Sequence, residues 1–416
     1  MSSDRNLANL SAPGVDDQQL LQNQPVDDRG PGTVLADFET LLGFVRQDGI
    51  PVGGKHDLLP MKSLGQLNAR LTHPIETGLK RPQQKSYPHI NGLYLLLRAT
   101  GLAYVERTRT RGLLLLDDAV LQSWRNLNPT ERYFTLLEAW LLRSRPAIVG
   151  EHGGLLDKPI IKWTEFFRKI PAEGLEIAGN KDQELLITYS PGLYTVALLE
   201  LFGFSVVQAD EPEVGKGWRI ARVHRTPFGG AMLQLLSWLL LSDEYLGRYS
   251  WDADVAFGEL QTTVQPFFPQ WRQNLSLPEL GFQDGTYIFK VSLGGKVWRR
   301  IAIAGSDDFE SLSDSILQAF GFDQDHLYQF TYKNRFGVPV DINHPYMDEP
   351  PFTTEVQIGD IGIRPGTTMT YLYDFGDNWE FEVQLEGIDP ADPQVRRPKI
   401  LETHGEAPEQ YPRWDE

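Results

Sequence analysis

The stretch that decides the fold of the C-terminal region is Tyr371-Leu-Tyr-Asp-Phe-Gly-Asp-Asn-Trp-Glu-Phe-Glu-Val-Gln-Leu385. Its second half alternates apolar and polar residues, the period of a strand with one buried and one exposed face. Its middle, Asp374-Phe-Gly-Asp-Asn378, consists of residue types that favour turns. The stretch therefore predicts a β-hairpin whose rim carries Asp374, Asp377 and Trp379.

The residues before this hairpin predict the rest of an α+β domain. A first hairpin over residues 287–304 turns at Gly294-Gly295, a two-residue connection. A helix then runs from a capping box at Asp307 to Gly321, and residues 327–332 form the next strand. The order of hairpin, helix, strand and further strands is typical of a β-grasp. We therefore expect a β-grasp-like α+β C-terminal domain.

This region resembles the plasmid pRiA4b ORF-3-like family over about residues 282–410. The resemblance includes a tail that ends in Glu-Gln-Tyr-Pro, and its motif residues are Trp298, Arg299, Arg300, His326, Tyr373, Asp374, Phe375, Gly376, Asp377 and Trp379. Members of the family are found on plasmids and insertion elements, where some are labelled resolvase-like passenger proteins. The resemblance therefore implies a mobile-element or plasmid-associated accessory protein. The sequence shows no catalytic-serine recombinase pattern.

Two positions depart from the family pattern. Where members commonly show His-Leu-His, this chain has His326-Leu-Tyr328, and where they show Trp-x-His it has Trp379-Glu-Phe381. If the missing histidines serve metal or proton chemistry in the family, this protein has lost that chemistry. The alternative is that both positions are packing sites on the sheet that accept any flat ring.

Length and composition indicate a soluble protein of several domains. A chain of 416 residues is too long for one core. We predict five segments: a disordered leader (1–33), a helical region (34–250), a linker (251–281), the family domain (282–390) and an acidic tail (391–416). The absence of cysteine excludes disulfides, thiolate zinc sites and Cys nucleophiles. The polar leader is neither a signal peptide nor a membrane anchor, so we expect a cytoplasmic protein with no membrane partner.

The charge is unevenly distributed along the chain. The formal net charge is −17, and residues 251–416 contribute −16 of it, with 12 Lys and Arg against 28 Asp and Glu. Residues 70–112 instead hold eight Lys and Arg against two Glu. We therefore expect DNA, if it binds, to contact the basic region, and a protein partner to contact the acidic C-terminal domain.

The helical region contains an internal repeat. A helix, a hairpin and a capped helix occur from Pro88 onward and again from Pro191 onward, which is the layout of a winged-helix unit. We therefore predict two winged-helix-like units, with nucleic-acid contacts from Lys80, Arg81, Lys85, Arg107, Arg109 and Arg111. The alternative is that these cations belong to solvated loops. The helix that would enter a major groove is unusually apolar, and the loop of the second copy is acidic.

The chemistry of the motif residues leaves two functions open. A metal-dependent hydrolase would use Asp374 and Asp377 of the Asp-Phe-Gly-Asp turn with His326. Aspartates at these positions are more often satisfied turn residues. No Walker loop, dinucleotide fingerprint or zincin helix occurs in the sequence, so we expect no cofactor. The favoured interpretation is a non-enzymatic protein that is a nucleic-acid-associated or protein-interaction module.

Overall fold

The computed structural model describes residues 11–45, 48–107, 111–151, 158–242, 255–392 and 397–411. The chain divides into two compact units. The first comprises Met1–Tyr104 and Leu114–Leu277, and the second comprises Val105–Leu113 and Pro278–Glu416. The short segment Val105–Leu113, which contains the predicted nucleic-acid loop, is therefore grouped with the C-terminal residues.

The first unit is mainly helical. Its helices are α1 (Val15–Asn23), α2 (Val34–Val45), α3 (Met61–Asn68), α4 (Pro88–Ala99), α5 (Asp118–Asn126), α6 (Pro129–Glu138), α7 (Pro159–Lys169), α8 (Lys181–Ile187), α9 (Leu193–Leu201), α10 (Pro227–Leu240) and α11 (Gln261–Val264). Two small sheets also occur in the N-terminal part of the chain. One has the order β1-β3-β2 and the other β4-β6-β5, from the strands β1 (Ile50–Val52), β2 (Ala103–Arg107), β3 (Gly112–Leu116), β4 (Leu175–Glu176), β5 (Ser205–Ala209) and β6 (Ile220–Arg225).

The order helix, hairpin, helix occurs twice, as α4-β2-β3-α5 and as α9-β5-β6-α10. Both second helices begin at a side-chain cap. Asp117 accepts hydrogen bonds from the backbone N–H groups of Ala119 and Val120, and Thr226 accepts one from Gly229. These caps satisfy backbone donors that the first helical turn leaves unpaired.

Helix α4 is enclosed by the rest of its unit. All twelve of its residues are buried, as its apolar sequence requires. It packs against α9, and a Cβ atom at Gly92 would lie only 2.8 Å from Cγ of Leu198. The two equivalent helices of the repeat therefore face each other, and α4 has no exposed face that could enter a DNA groove.

Residues 11–33 differ from the predicted disordered leader. They include α1, whose Leu21 is fully buried. The side chain of Gln234 donates a hydrogen bond to the carbonyl oxygen of Ser11 at 2.6 Å, and Thr33 N–H donates to the carbonyl oxygen of Leu201 at 2.8 Å. One buried leucine and a few backbone hydrogen bonds are enough to attach this segment to the unit. Its composition therefore remains polar and did not indicate an ordered structure.

Residues 255–277, which the sequence placed in a linker over 251–281, pack against α6. The carboxylate of Glu138 accepts hydrogen bonds from the N–H groups of Gly258 at 2.7 Å and Leu260 at 2.8 Å. The Phe134 ring stacks on Trp271, with ring centroids 4.6 Å apart. The prolines interrupt regular structure in this segment, but its aromatic residues contribute to the core. Residues 251–254 lie outside the described ranges.

The second unit contains a seven-stranded sheet of order β10-β9-β11-β12-β7-β8-β13. Its strands are β7 (Thr286–Leu293), β8 (Val297–Ala304), β9 (Tyr328–Lys333), β10 (Pro339–Asn343), β11 (Thr368–Tyr373), β12 (Trp379–Asp389) and β13 (Lys399–His404). All the pairings between these neighbours are antiparallel. Helix α12 (Phe309–Phe320) follows β8 and ends at Gly321, which adopts φ +73°, a conformation that glycine tolerates.

The core of this unit lies between α12 and one face of the sheet. It contains Phe289, Ile316, Phe330, Tyr371 and Phe381 among other apolar residues. The Tyr371 hydroxyl lies 2.7 Å from the Ser313 hydroxyl, so this buried phenol has a hydrogen-bond partner on the helix. The opposite face of β12 carries exposed glutamates, as the alternation of its sequence predicts.

The coarse fold prediction is confirmed: the N-terminal region is helical and the C-terminal region is rich in β-sheet. The winged-helix-like and β-grasp-like assignments stay predictions. Within the described ranges, every helix is too short or too polar to span a bilayer.

Candidate functional site

The Asp-Phe-Gly-Asp turn closes the hairpin of β11 and β12, whose last strand pair is Tyr373 with Trp379. Asp374 and Asn378 adopt φ +57° and +58°, a left-handed conformation in which Asp and Asn are enriched. Oδ1 of Asp374 accepts hydrogen bonds from the N–H groups of Gly376 at 2.9 Å and Asp377 at 3.3 Å. One oxygen of this carboxylate therefore stabilises the turn by accepting hydrogen bonds from its backbone.

The second oxygen of Asp374 faces a histidine from another loop. Nε2 of His326, which precedes β9, lies 3.5 Å from Oδ2 of Asp374. Nδ1 of the same ring lies 2.7 Å from Oδ1 of Asp325. The imidazole thus lies between two carboxylates and connects the loop after α12 to the β11–β12 turn.

Two tyrosines and a glutamine complete the arrangement. The Tyr373 hydroxyl donates a hydrogen bond to the carbonyl oxygen of Asp323 at 2.5 Å. The Tyr411 hydroxyl lies 3.3 Å from Nδ1 of His326, and the Gln410 side chain accepts a hydrogen bond from Asp323 N–H at 2.6 Å. The C-terminal segment therefore packs against this loop. We call the group Asp323, Asp325, His326, Asp374, Asp377 and Tyr411 the Asp–His cluster.

The charges of the cluster shift the titration of its members. The hydrogen bond to Asp325 raises the pKa of His326, and the nearby carboxylates of Asp374 and Asp377 raise it further. The same hydrogen bond lowers the pKa of Asp325. Both shifts favour an imidazolium that is hydrogen-bonded to an ionised Asp325.

The arrangement does not support a metal-dependent hydrolase. Among the described residues, no group of three His, Asp or Glu side chains is placed to hold a metal ion. The predicted ligands Asp374 and His326 do approach each other, but Asp374 directs its other oxygen to the turn backbone, and Asp325 takes the second nitrogen of His326. The alternative function proposed from the Asp-Phe-Gly-Asp turn is therefore withdrawn.

Exposed apolar and aromatic groups accompany the carboxylates of the cluster. The side chains of Phe375 and Tyr411 are 46% and 47% exposed, and Leu327 is 39% exposed. Phe375 lies in the turn between Asp374 and Gly376, and Leu327 directly follows His326. This end of the sheet therefore presents negative charge and aromatic surface together.

The remaining motif residues lie elsewhere in the sheet and act on its structure. Arg299 is buried, and its guanidinium donates to the carbonyl oxygens of Ala319 at 2.8 Å and His404 at 3.0 Å. Arg300 points to the other face and forms ion pairs with Glu386 and Glu402. The Trp298 ring stacks on the His404 ring, with centroids 5.3 Å apart. Strands β7 and β12 separate this group from β11 and its turn.

The two positions where family histidines are replaced are core positions. Phe381 is fully buried and packs edge-on against Phe320. Tyr328 is also buried, and its hydroxyl lies 3.3 Å from the Thr353 hydroxyl. In this chain, packing therefore accounts for both aromatic residues. Trp379, next to the turn, is half-buried and packs edge-on against Phe322.

The predicted nucleic-acid contacts fall into two groups. Lys80, Arg81 and Lys85 are exposed and lie on the segment that leads into α4, around the 3₁₀ turn Gln84–Ser86. Arg107 and Arg111 flank the tip of the β2–β3 hairpin, and neither is without an interaction partner. Arg109 lies outside the described residues.

Gln410 and Tyr411 were not among the predicted site residues, although both contact the cluster. Both belong to the Glu-Gln-Tyr-Pro tail, which contributed to the family resemblance, and this motif was a signal that the C-terminal segment has a fixed place in the domain. The hydrogen bonds of Gln410 and Tyr411 occur between segments more than eighty residues apart. Local sequence periodicity carries no information about such contacts.

Comparisons with known proteins identify a family and two similar proteins. The family model for plasmid pRiA4b ORF-3-like protein matches residues 286–410, which confirms the predicted resemblance. The chain is 30% identical over 117 residues to a Sinorhizobium fredii (strain NBRC 101917 / NGR234) protein described as uncharacterized protein y4hQ, covering 27% of this chain and 57% of that protein. It thus spans just over half the length of this relative.

A solved structure also matches. The crystal structure of MM3350, a protein of unknown function from Methanosarcina mazei Go1, is 27% identical in sequence. The match covers 30% of this chain and 71% of that chain, with a TM-score of 0.28.

Proposed function

Because residues 286–410 form a domain of the plasmid pRiA4b ORF-3-like family, we propose that this protein is a non-enzymatic accessory protein of plasmids or other mobile elements. In this proposal the C-terminal domain is a protein-interaction module. Its Asp–His cluster binds a basic segment of a protein partner. The observation that carries the proposal is the exposed aromatic surface beside the cluster carboxylates.

The chemistry of the cluster fits an arginine or lysine side chain. Asp323, Asp325 and Asp377 are exposed, and a carboxylate can pair with a guanidinium through two parallel hydrogen bonds. The exposed rings of Phe375 and Tyr411 offer faces on which a cation can stack. The wider domain supports such binding, because the charge of −16 over residues 251–416 attracts a basic partner at long range.

A labelled arginine-rich peptide and a labelled glutamate-rich peptide of equal length would test this proposal by fluorescence anisotropy. We expect binding of the basic peptide alone, with an affinity that falls as salt is added. The double variant Asp325→Asn/Asp377→Asn should weaken binding by about tenfold or more, since a lost charge pair costs roughly 1–3 kcal/mol.

The matched control is Glu380→Gln/Glu382→Gln, which removes the same charge from the exposed face of β12. We expect this control to bind the basic peptide almost as tightly as the wild type. Equal losses in both double variants would mean that the peptide responds only to net charge, and the proposed site would then be rejected.

A second candidate function is contact with a nucleic-acid backbone by the first unit. The observation that favours it is the exposed position of Lys80, Arg81 and Lys85, which lie within six residues and form no hydrogen bond or ion pair with described residues. Because α4 is buried, such contact would involve phosphates and would not read base sequence. This function is compatible with protein binding by the second unit.

Binding to random duplex DNA across a salt series would test the second candidate. The triple variant Lys80→Ala/Arg81→Ala/Lys85→Ala should reduce affinity and flatten the salt dependence, because fewer counterions are released. A parallel variant, Arg107→Ala/Arg109→Ala/Arg111→Ala, would test the hairpin loop. If the wild type does not bind at low salt, the DNA-associated function is wrong.

The finer fold assignments belong to the same proposal. The repeated order of helix, hairpin and capped helix supports two winged-helix-like units, which here pack together through α4 and α9. The hairpin, helix and strand order of the second unit supports a β-grasp-like domain. The proposal also includes a cytoplasmic location.

A further inference from the structure

The edge strand β13 (Lys399–His404) is an unusually open part of the second unit. It pairs with β8 on one side and ends the seven-stranded sheet. All six of its residues are exposed. No strand among the described residues pairs with its outer edge, so backbone hydrogen-bonding groups there are available to another chain.

The opposite edge of the sheet is protected. Strand β10 begins at Pro339, which has no N–H group to offer. At its other end, Asn343 N–H donates to the carbonyl oxygen of Pro351 and Thr353 N–H donates to the carbonyl oxygen of Asn343, both at 2.9 Å. The segment 351–353 therefore covers the Asn343 end of that edge, and β13 is the more open edge for a further strand.

The side chains of β13 suit a copy of the same strand. The register against β8 shifts between Ile400 and Glu402. Lys399 lies opposite Ala302, and Glu402 lies opposite Arg300. Because Ala302 and Arg300 are two residues apart on β8, Lys399 and Glu402 lie on the same face of the sheet. Ile400 and Leu401, which are 37% and 46% exposed, lie between these opposite charges.

We propose that β13 is a self-association surface whose partner is a second copy of this chain. The two β13 strands pair in antiparallel fashion about a two-fold axis, with Lys399 of each copy opposite Glu402 of the other and Ile400 opposite Leu401. In this register both charge pairs are attractive and the exposed apolar side chains cover one another. Glu402 also keeps its ion pair with Arg300.

The geometry predicts a weak dimer. A ladder of four residues from each strand buries far less than the roughly 1,200 Å² of a stable interface. The two-fold pairing uses the open edge of both copies, and the remaining edges at β10 are protected. Association therefore stops at two copies and does not continue into a fibre.

Engineered cysteines test the register directly, because the chain contains no cysteine of its own. Ile400→Cys and Leu401→Cys proteins, purified separately and mixed under mild oxidation, should form a disulfide-linked heterodimer. Directly opposite residues in an antiparallel pair have Cα atoms about 4.5–5.5 Å apart, within disulfide range. The control mixes Leu401→Cys with Val206→Cys, which places a thiol at an exposed site of the first unit.

We expect the mixed edge-strand pair to yield several-fold more heterodimer than the control pair. Equal yields would overturn the proposal. Sedimentation velocity over a concentration series gives a second readout: Lys399→Glu should abolish the dimer by facing Glu402 with a like charge, whereas Lys399→Arg should retain it. A wild type that stays monomeric at millimolar concentration would also overturn the proposal.

Discussion

Nε of Arg299 donates a hydrogen bond to the carbonyl oxygen of Ala319 at 2.8 Å, which joins strand β8 to the last turn of α12. The last carbonyls of a helix have no partner within the helix, and a cation near them also interacts favourably with the helix dipole. The same guanidinium lies over the Phe320 ring at 4.6 Å from its centroid. This arginine of the family motif is therefore explained by structure and needs no role in binding.

We predict that Arg299→Met destabilises the second unit. The substitution keeps an unbranched apolar side chain but leaves the carbonyl oxygens of Ala319 and His404 without their donor. Hydrogen bonds from a charged donor contribute about 1.5–3 kcal/mol each. Chemical denaturation monitored by tryptophan fluorescence would measure the loss. The control, Lys296→Met on the exposed β7–β8 turn, should change stability by less than about 0.5 kcal/mol.

The close approach of α4 and α9 leads to a second prediction. Gly92→Ala should destabilise the first unit, because the new methyl group would lie 2.8 Å from Cγ of Leu198. Overpacking of this kind costs roughly 1–3 kcal/mol. Leu198→Ala alone should also destabilise, since it leaves a cavity. The double variant should be more stable than the sum of the two losses indicates, as measured by thermal unfolding.

The double variant distinguishes a direct contact between Gly92 and Leu198 from a general sensitivity of their helices to substitution. If the two losses simply add, then Gly92 and Leu198 do not compete for the same space. Gly43→Ala offers a matched control on a neighbouring helix, because a Cβ atom there meets no atom within 4 Å. We expect this change to be neutral or slightly stabilising, since alanine has the higher helix propensity.

Local sequence patterns predicted several elements of the second unit, but β10 and β13 were not among them. The alternation around Phe381 predicted one face of β12, and Gly321 marked the end of α12. These signals act over a few residues, so a single sequence reveals them. The hydrogen bonds of Arg299 connect positions twenty and more than one hundred residues apart, and no local pattern records such pairs.

The candidate site was only partly predictable for the same reason. The turn residues Asp374 and Asp377 were recognised from their types, and His326 from its motif. Asp325 is the neighbour of His326 in sequence, whereas Tyr411 is 85 residues away and reaches His326 only in the folded domain. Composition alone did not reveal that the polar N-terminal segment and the Pro-rich segment each supply a buried residue, Leu21 and Trp271.

Glu138 gives a prediction for the pH dependence of stability. Burial raises the pKa of this carboxyl from 4.5 to about 7, although hydrogen bonds from Gly258 and Leu260 oppose the shift. The folded protein therefore binds a proton more tightly than the unfolded chain. The contribution to stability is fully present below pH 4.5 and is lost as the pH rises to about 7, a change of about 3 kcal/mol.

Urea denaturation of the wild type and of Glu138→Gln between pH 4.5 and 8 would measure this contribution. Gln cannot titrate, so the stability of the variant relative to the wild type should rise as the pH increases. A constant difference between the two proteins across this range would show that Glu138 does not titrate there. Glu39→Gln, at a more exposed carboxylate that also accepts a hydrogen bond from a tryptophan, is the control substitution.

His326 gives the final prediction, because its hydrogen bond to Asp325 raises its pKa. A raised histidine pKa means that the stabilising contact is fully present below the pKa of the unfolded chain, about 6.5. It is lost as the pH rises through the folded pKa. NMR titration of the imidazole proton signals should show a pKa above that of an unperturbed histidine. Asp325→Asn should lower it, since the variant removes the carboxylate that lies 2.7 Å from Nδ1.

Asp377→Asn distinguishes the effect of the Asp325 hydrogen bond on the His326 pKa from the effect of a more distant negative charge in the cluster. Asp377 acts on His326 only at longer range, so its removal should lower the pKa less than Asp325→Asn does. His344, which packs against Tyr328 away from the turn, serves as an internal reference, because burial lowers its pKa. A His326 pKa that is equal in the wild type and in Asp325→Asn would contradict the arrangement described for the Asp–His cluster.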